Sequence, residues 1–215
     1  VKGGYLEKSG VDKARAVERG WIAKHGIYEI VPRERSFQET GRAPIPLKWV
    51  DTNKGDSRNP NYRSRLVVRE IKKMKREDEK LSVEQLFSSM PPLEAFLLLI
   101  SLFICCSRMG RTAKRKKPYK LATFDISRAH FYGIAKRKIF VELEAEDKAE
   151  FGEDKCGLLL KSMYGTQDAS AIWQEDYVGL LESAGYKRGR SNGAIFYHEE
   201  LDSRVMVHGD DFAVL

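Results

Sequence analysis

The chain has 215 residues, and its 38 Lys and Arg against 31 Asp and Glu give a formal net charge of +7. That length supports one domain or a pair of closely packed subdomains with a real core. A make-up of 42% hydrophobic and 32% charged residues is that of a folded domain and excludes a disordered chain. The cationic excess favours a polyanionic partner, nucleic acid first, over an ordinary basic surface. Cys105, Cys106 and Cys156 make no disulfide framework. His25, His130, His198 and His208 fall at no zinc-binding spacing. A reducing, cytoplasmic location is expected.

Helical spacing of Ala14, Val17 and Trp21 predicts an amphipathic helix over 11–24, ended by Gly26. Residues 27–31 alternate as a strand. A Pro-containing loop leads to a hairpin, with 47–51 and 62–69 as strands and the turn-rich 53–61 between them. Arg63 and Arg65 alternate with apolar residues, so one face of the return strand is cationic; a solvated face and a phosphate-binding face both fit. The mixed-charge stretch 72–80 and the basic run 111–117 read as exposed connectors. Between them, Ser82 or Ser89 is the candidate cap of a helix reaching Cys106, with Pro91 and Pro92 at its first turn. Its apolar run from Ala95 to Cys106 is too short to cross a bilayer and reads as a buried core helix. No membrane association is expected.

Farther along, Ala122–Ile126 is a strand ending near Asp125, and Ser127 caps a short helix. The strand 138–142, an acidic stretch 144–154 and an apolar strand 156–164 follow. Residues 170–184 form an amphipathic helix with Trp173, Tyr177, Leu180, Leu181 and Ala184 on one face, terminated by Gly185. Strands at 194–197 and 205–208 come next. The pattern has no regular βαβ alternation, which points to an α+β fold with an antiparallel sheet.

The most informative segment is Val205–Leu215. Asp210 and Asp211 follow Gly209 inside an apolar, β-prone run, which predicts two strands joined by a tight turn. Carboxylates at such a tip are costly as packing but serve well as ligands of a hard divalent cation, with Asp125 as the third.

At this level the chain resembles the reverse-transcriptase domain of copia-type retrotransposons. The matching stretches, in family order, are Gly26–Pro32; Lys48-Trp49-Val50 with Tyr62–Val67; Phe124–Gly133; Lys161–Ala169 with Trp173; Gly185–Arg188 with Ser191; and His208–Asp211. The resemblance implies a polymerase palm and fingers, and a division into a lead-in (1–46), a fingers-like hairpin and core helix (47–117) and a palm incomplete at its C-terminus (118–215). It implies Mg²⁺ or Mn²⁺ on Asp125, Asp210 and Asp211, with Asp211 ranked below the other two. Arg63 and Arg65 would meet the triphosphate of a dNTP. Tyr164 and Gly165 would lie under the nascent base pair, with Tyr164 as plain core left open and Trp173 read as core. His130 would stand where the family has an aromatic that screens the ribose 2′-hydroxyl. An RNA or DNA template-primer is the implied partner.

Departures from the family pattern are His130, Asp168, Ser170, His208 and Gly209. Both ends read as cuts through a longer Pol polyprotein carrying thumb, ribonuclease H and integrase regions, so the isolated chain is expected to be a weak polymerase or none. Two other readings stand beside this one: a non-catalytic retroelement remnant that binds nucleic acid, and a metal-dependent nuclease.

Overall fold

A computed structural model describes residues 6–56, 58–70, 81–108 and 119–215. The charged stretches 72–80 and 111–117 lie outside the described residues. In chain order the elements are α1 (Lys8–His25), β1 (Tyr28–Pro32), α2 (Arg33–Thr40), β2 (Leu47–Asn53), β3 (Tyr62–Val68), α3 (Val83–Leu86), α4 (Leu93–Arg108) and β4 (Ala122–Asp125). Then come β5 (Phe140–Val141), α5 (Ala145–Phe151), β6 (Lys155–Leu159), α6 (Ala169–Ser183), β7 (Lys187–Arg188), β8 (Ile195–His198), β9 (Ser203–His208) and β10 (Asp211–Val214). Helices mixed with antiparallel strand pairs make this the expected α+β class.

The chain divides into two compact units, Val1–Ser82 with His130–Ile172 and Val83–Ala129 with Trp173–Leu215. This differs from the consecutive segments read from the sequence. The strand pairings that build each unit join residues far apart in the chain, such as β1 with β6 and β4 with β10, and a composition scan registers none of them.

The first unit holds the sheet β1-β6-β5 and the two-stranded β2-β3 hairpin. Its core gathers Ile22, Ile27, Leu66, Val68, Phe131, Val141, Leu159 and Met163. Helix α1 ends as predicted: Gly26 takes a left-handed φ of 58°, its N–H donates to Ala23 O, and Ile27 N–H reaches back to Ile22 O. On β3, Ser64, Leu66 and Val68 are buried, while Arg63, Arg65 and Val67 lie on the more open face. The hairpin is tied to α1 where Arg15 donates two hydrogen bonds to Asp51 (3.2 and 2.6 Å), which also accepts from Ser64 Oγ at 2.7 Å.

The Arg15 hydrogen bonds hold the Asp51 carboxyl below its usual range, outweighing the opposing effect of burial. A depressed folded value means this contribution is complete above the ordinary aspartate pKa of about 3.9 and is lost as pH falls through the lower folded value. We expect Asp51→Asn to flatten the acid limb of urea-unfolding stability below about pH 4, by under ~1 kcal/mol because Arg15 is partly screened by solvent. An unchanged acid limb in the variant would remove this pair from the account.

In the second unit, five strands run in the order β4-β10-β9-β8-β7. Side chains alternate between its faces. One carries Phe196, Val205, Val207 and Phe212 against Trp173 and Tyr177 of α6. The other carries Met206, Ala213 and Leu215 against Leu99 of α4, with Ala95, Phe96, Leu102 and Phe103 around it.

That second packing corrects the reading of α4 as a buried core helix. Leu93, Leu97, Leu98 and Ile104 are 69%, 53%, 61% and 46% exposed. Residues 95, 96, 99, 102 and 103 make one helical stripe, and one sheet face covers only that stripe. Likewise Leu180 of α6 stands out of the predicted apolar face at 68% exposure, while Val178 and Leu181 pack inward. Among the described residues no helix is long and apolar enough to cross a membrane.

Candidate active site

Strands β9 and β10 pair from His208 opposite Asp211, which leaves Gly209 and Asp210 as a two-residue turn. Gly209 has φ 66°, the positive value that a type II′ hairpin turn needs at its first central position. Here the glycine that departs from the family pattern has a local reason.

Strand β4 lies along the other side of β10, with Asp125 directly opposite Asp211 and Phe124 opposite Phe212. The Ile126 N–H donates to Asp210 O at 2.9 Å. A backbone bond from the residue after Asp125 to the residue before Asp211 identifies 125–211 as a narrow, non-hydrogen-bonded pair. In such pairs the Cα atoms stand about 4.5 Å apart and the side chains share one face. Both carboxylates are exposed, and Asp210 is half-buried in the turn.

The register thus sets two of the three aspartates, Asp125 and Asp211, directly opposite each other, while Asp210 occupies the turn beside them. It is Asp211, ranked lowest from sequence, that faces Asp125. Among the described residues no three His, Cys, Asp or Glu side chains form a ready-made metal cage. The donor set nevertheless suits Mg²⁺, which is commonly held by one or two carboxylates and completes its shell with water and substrate phosphates. Like charges placed directly opposite each other destabilise a strand pair, and a bound cation would offset that cost.

The face that bears Asp125 and Asp211 also bears Thr123, Met206, His208 and Ala213. A cavity of about 390 Å³ opens there, walled by Pro91, Pro92 and Phe96 and reaching His208 and Asp211. On the opposite face, Trp173 is buried as expected, and its indole Nε1–H donates to Gly209 O at 2.8 Å. Nothing in its spacing signals this bond.

The proposed nucleotide-contacting residues of the first unit also come together. The Arg65 guanidinium lies over the Tyr164 ring, 4.9 Å from its centroid. His130 meets the same ring edge-on at 5.2 Å, and Phe131 lies tilted against it at 5.5 Å. Tyr164 packs against the core cluster and its carbonyl accepts the Val68 N–H at 2.8 Å, so the residue is part of the core. Arg63 shares the Arg65 face of β3, opposite Thr52.

Gly165 requires a correction. The sequence reading reserves its missing side chain for a sugar or base. A Cβ built there would lie 2.5 Å from Val67 Cγ1 and closer still to the Val68 carbonyl oxygen. The close approach is to strand β3, and φ 88° adds a second need for glycine.

Arg137 was not anticipated. Its guanidinium donates at 2.9 and 3.1 Å to Glu70, just past β3, and at 2.8 Å twice to Asp168, just before α6. Glu70 also accepts the Gln167 N–H at 2.8 Å. Burial pushes the Arg137 guanidinium down, but its bonds to Asp168 and Glu70 hold it above its ordinary value. This clamp ties the Tyr164–Gly165 loop to β3. The signal available was Asp168 itself, a charged departure inside an otherwise matching motif.

The model of the family described as reverse transcriptase (RNA-dependent DNA polymerase) matches residues 27–214. The chain belongs to that reverse-transcriptase family. It is also 21% identical over 214 residues to a retrovirus-related Pol polyprotein from transposon TNT 1-94 of Nicotiana tabacum. That alignment takes in 97% of this chain and 15% of the relative, so this reverse-transcriptase chain spans a small part of the relative's length. Both matches support the copia-type assignment drawn from the motifs.

Proposed function

We propose that this reverse-transcriptase domain performs RNA-directed DNA synthesis as part of a Pol polyprotein, transferring a nucleotide from a dNTP to a primer 3′-hydroxyl. The observation that carries the reading is the Asp125–Asp211 pair, set by register at the tip of the 208–211 hairpin within a family-matched chain. The β4-β10-β9-β8-β7 sheet serves as the palm and the β2-β3 hairpin as fingers. Asp125 and Asp211, with Asp210 beside them, would hold Mg²⁺ or Mn²⁺. The chemistry such ions supply is a lowered pKa for the attacking hydroxyl and charge neutralisation on the triphosphate.

The chain's own residues bind and orient. Arg65, steadied on the Tyr164 ring, offers a planar fork suited to phosphate. Arg63 adds a second cation along the same face. His130 stands against Tyr164, where it would contact the sugar. Nucleotidyl transfer needs positioning and electrostatic support rather than covalent help from the protein, and these residues supply both.

Primer extension by the full-length parent polypeptide tests this, with an RNA template, a DNA primer and dNTPs. The expected result is incorporation that requires Mg²⁺ or Mn²⁺. Salt-sensitive binding of template-primer without extension would overturn the reading and favour a non-catalytic nucleic-acid-binding role.

A further inference from the structure

The hairpin tip is exposed at His208 and Gly209, and a two-residue turn between strands has few internal restraints. Yet both peptide planes flanking Asp210 are held. The carbonyl before it, Gly209 O, accepts the Trp173 indole N–H at 2.8 Å. The carbonyl after it, Asp210 O, accepts the Ile126 N–H at 2.9 Å. The second bond belongs to the β4–β10 ladder. The first comes from a side chain on the far face of the sheet and has no counterpart in the ladder.

The indole is well placed for this. Trp173 is 9% exposed, with its ring edge-on to Tyr177 at 5.7 Å and to Phe212 at 6.4 Å. Phe212 follows Asp211 directly, so the ring restrains the strand on one side of the carboxylates and the N–H restrains the turn on the other. A buried indole N–H needs an acceptor, and Gly209 O is free to serve because the hairpin pairing uses the backbone of His208 and Asp211.

We propose that Trp173 is a positioning residue for the catalytic hairpin: its N–H fixes the Gly209–Asp210 peptide plane and so sets where the Asp210 and Asp211 carboxylates stand. The catalytic part of this inference rests on the polymerase reading, whereas the restraint on the turn does not. Trp173 touches no reacting atom in this account; it acts through the backbone it holds.

The test uses Trp173→Phe in the full-length parent, which keeps an apolar ring and removes the donor. A control, Phe196→Leu, disturbs the same buried cluster without touching the turn. Hydrogen exchange is read at the Ile126 amide, which is bonded to the turn, and at the Arg204 amide, bonded to Leu215 O at the far end of β9. Trp173→Phe should speed exchange at Ile126 by about five- to tenfold relative to Arg204, the scale of one lost hydrogen bond. Phe196→Leu should change both amides alike.

In single-nucleotide incorporation, Trp173→Phe should lower kcat by about tenfold and raise the Mg²⁺ concentration for half-maximal rate, with the KM for dNTP held. A purely structural role would lower Tm in both variants and leave the Mg²⁺ requirement of each at the wild-type value, which overturns the proposal. Unaltered exchange at Ile126 in Trp173→Phe overturns it as well. Should the wild-type parent show no incorporation at all, the polymerase reading fails, and the exchange comparison still decides whether Trp173 holds the turn.

Discussion

Asp211→Asn in the parent polypeptide should reduce primer extension by on the order of 10³-fold or more, corresponding to ~4 kcal/mol of lost transition-state stabilisation. The amide keeps the shape of the side chain and removes the charge that a hard cation requires. Asp125→Asn should do the same, because the two residues stand directly opposite each other on β4 and β10. Stability should move the other way. Two carboxylates in a narrow strand pair repel, so in metal-free buffer either substitution should leave stability unchanged or raise it slightly, by up to ~1 kcal/mol. Loss of activity with retained or improved stability distinguishes a functional carboxylate pair from a structural one. Wild-type incorporation by Asp211→Asn would remove this residue from the reaction, and a clear fall in Tm would mean that the pair packs rather than binds.

The largest effect on folding is expected at Gly165. In Gly165→Ala the new Cβ collides with the Val68 carbonyl oxygen and Val67 Cγ1, and φ 88° is unfavourable for any L side chain. The obstructing atoms include β3 backbone, which the Arg137 clamp to Glu70 and Asp168 restrains nearby. We expect a loss of roughly 3 kcal/mol or more, or about 6–12 °C in Tm for a chain of this size. Gly209→Ala is the informative comparison. It also has positive φ, but nothing lies within 4 Å of its built Cβ, so only the conformational cost of about 1–2 kcal/mol applies. Thermal melts of the two variants side by side test the difference. A Gly165→Ala protein as stable as Gly209→Ala would show that β3 yields at that contact and that the glycine is not needed for packing.

Local signals suffice wherever neighbouring residues decide the outcome. The left-handed stop at Gly26, the β2-β3 hairpin and the Gly209-Asp210 turn depend on φ preferences and short-range alternation, which the order of residues displays directly. Helix α6 was visible from its apolar repeat, and the motif order led to the reverse-transcriptase family. The gathering of Arg65, Tyr164 and His130 was expected from that resemblance, although no spacing rule brings residues 65, 130 and 164 together.

Other features were decided only by tertiary pairing. The sequence placed three aspartates on strand ends and a turn; the hydrogen-bond register between β4 and β10 chose Asp211, not Asp210, to face Asp125, because a shift of one residue reverses every side chain on a strand. Helix α4 has apolar residues all round, so its composition predicted complete burial, yet a single sheet face can cover only one stripe of it. Gly165 looked like space kept for a ligand until the fold set β3 against it. The Arg137 clamp and the Trp173 indole bond join side chains to partners distant in the chain, and neither leaves a periodic trace. The sequence by itself determined the local elements, the family and the chemical types present at the site. Tertiary structure decided which carboxylates face each other and what holds them there, since those depend on register and packing between segments that local propensity cannot couple.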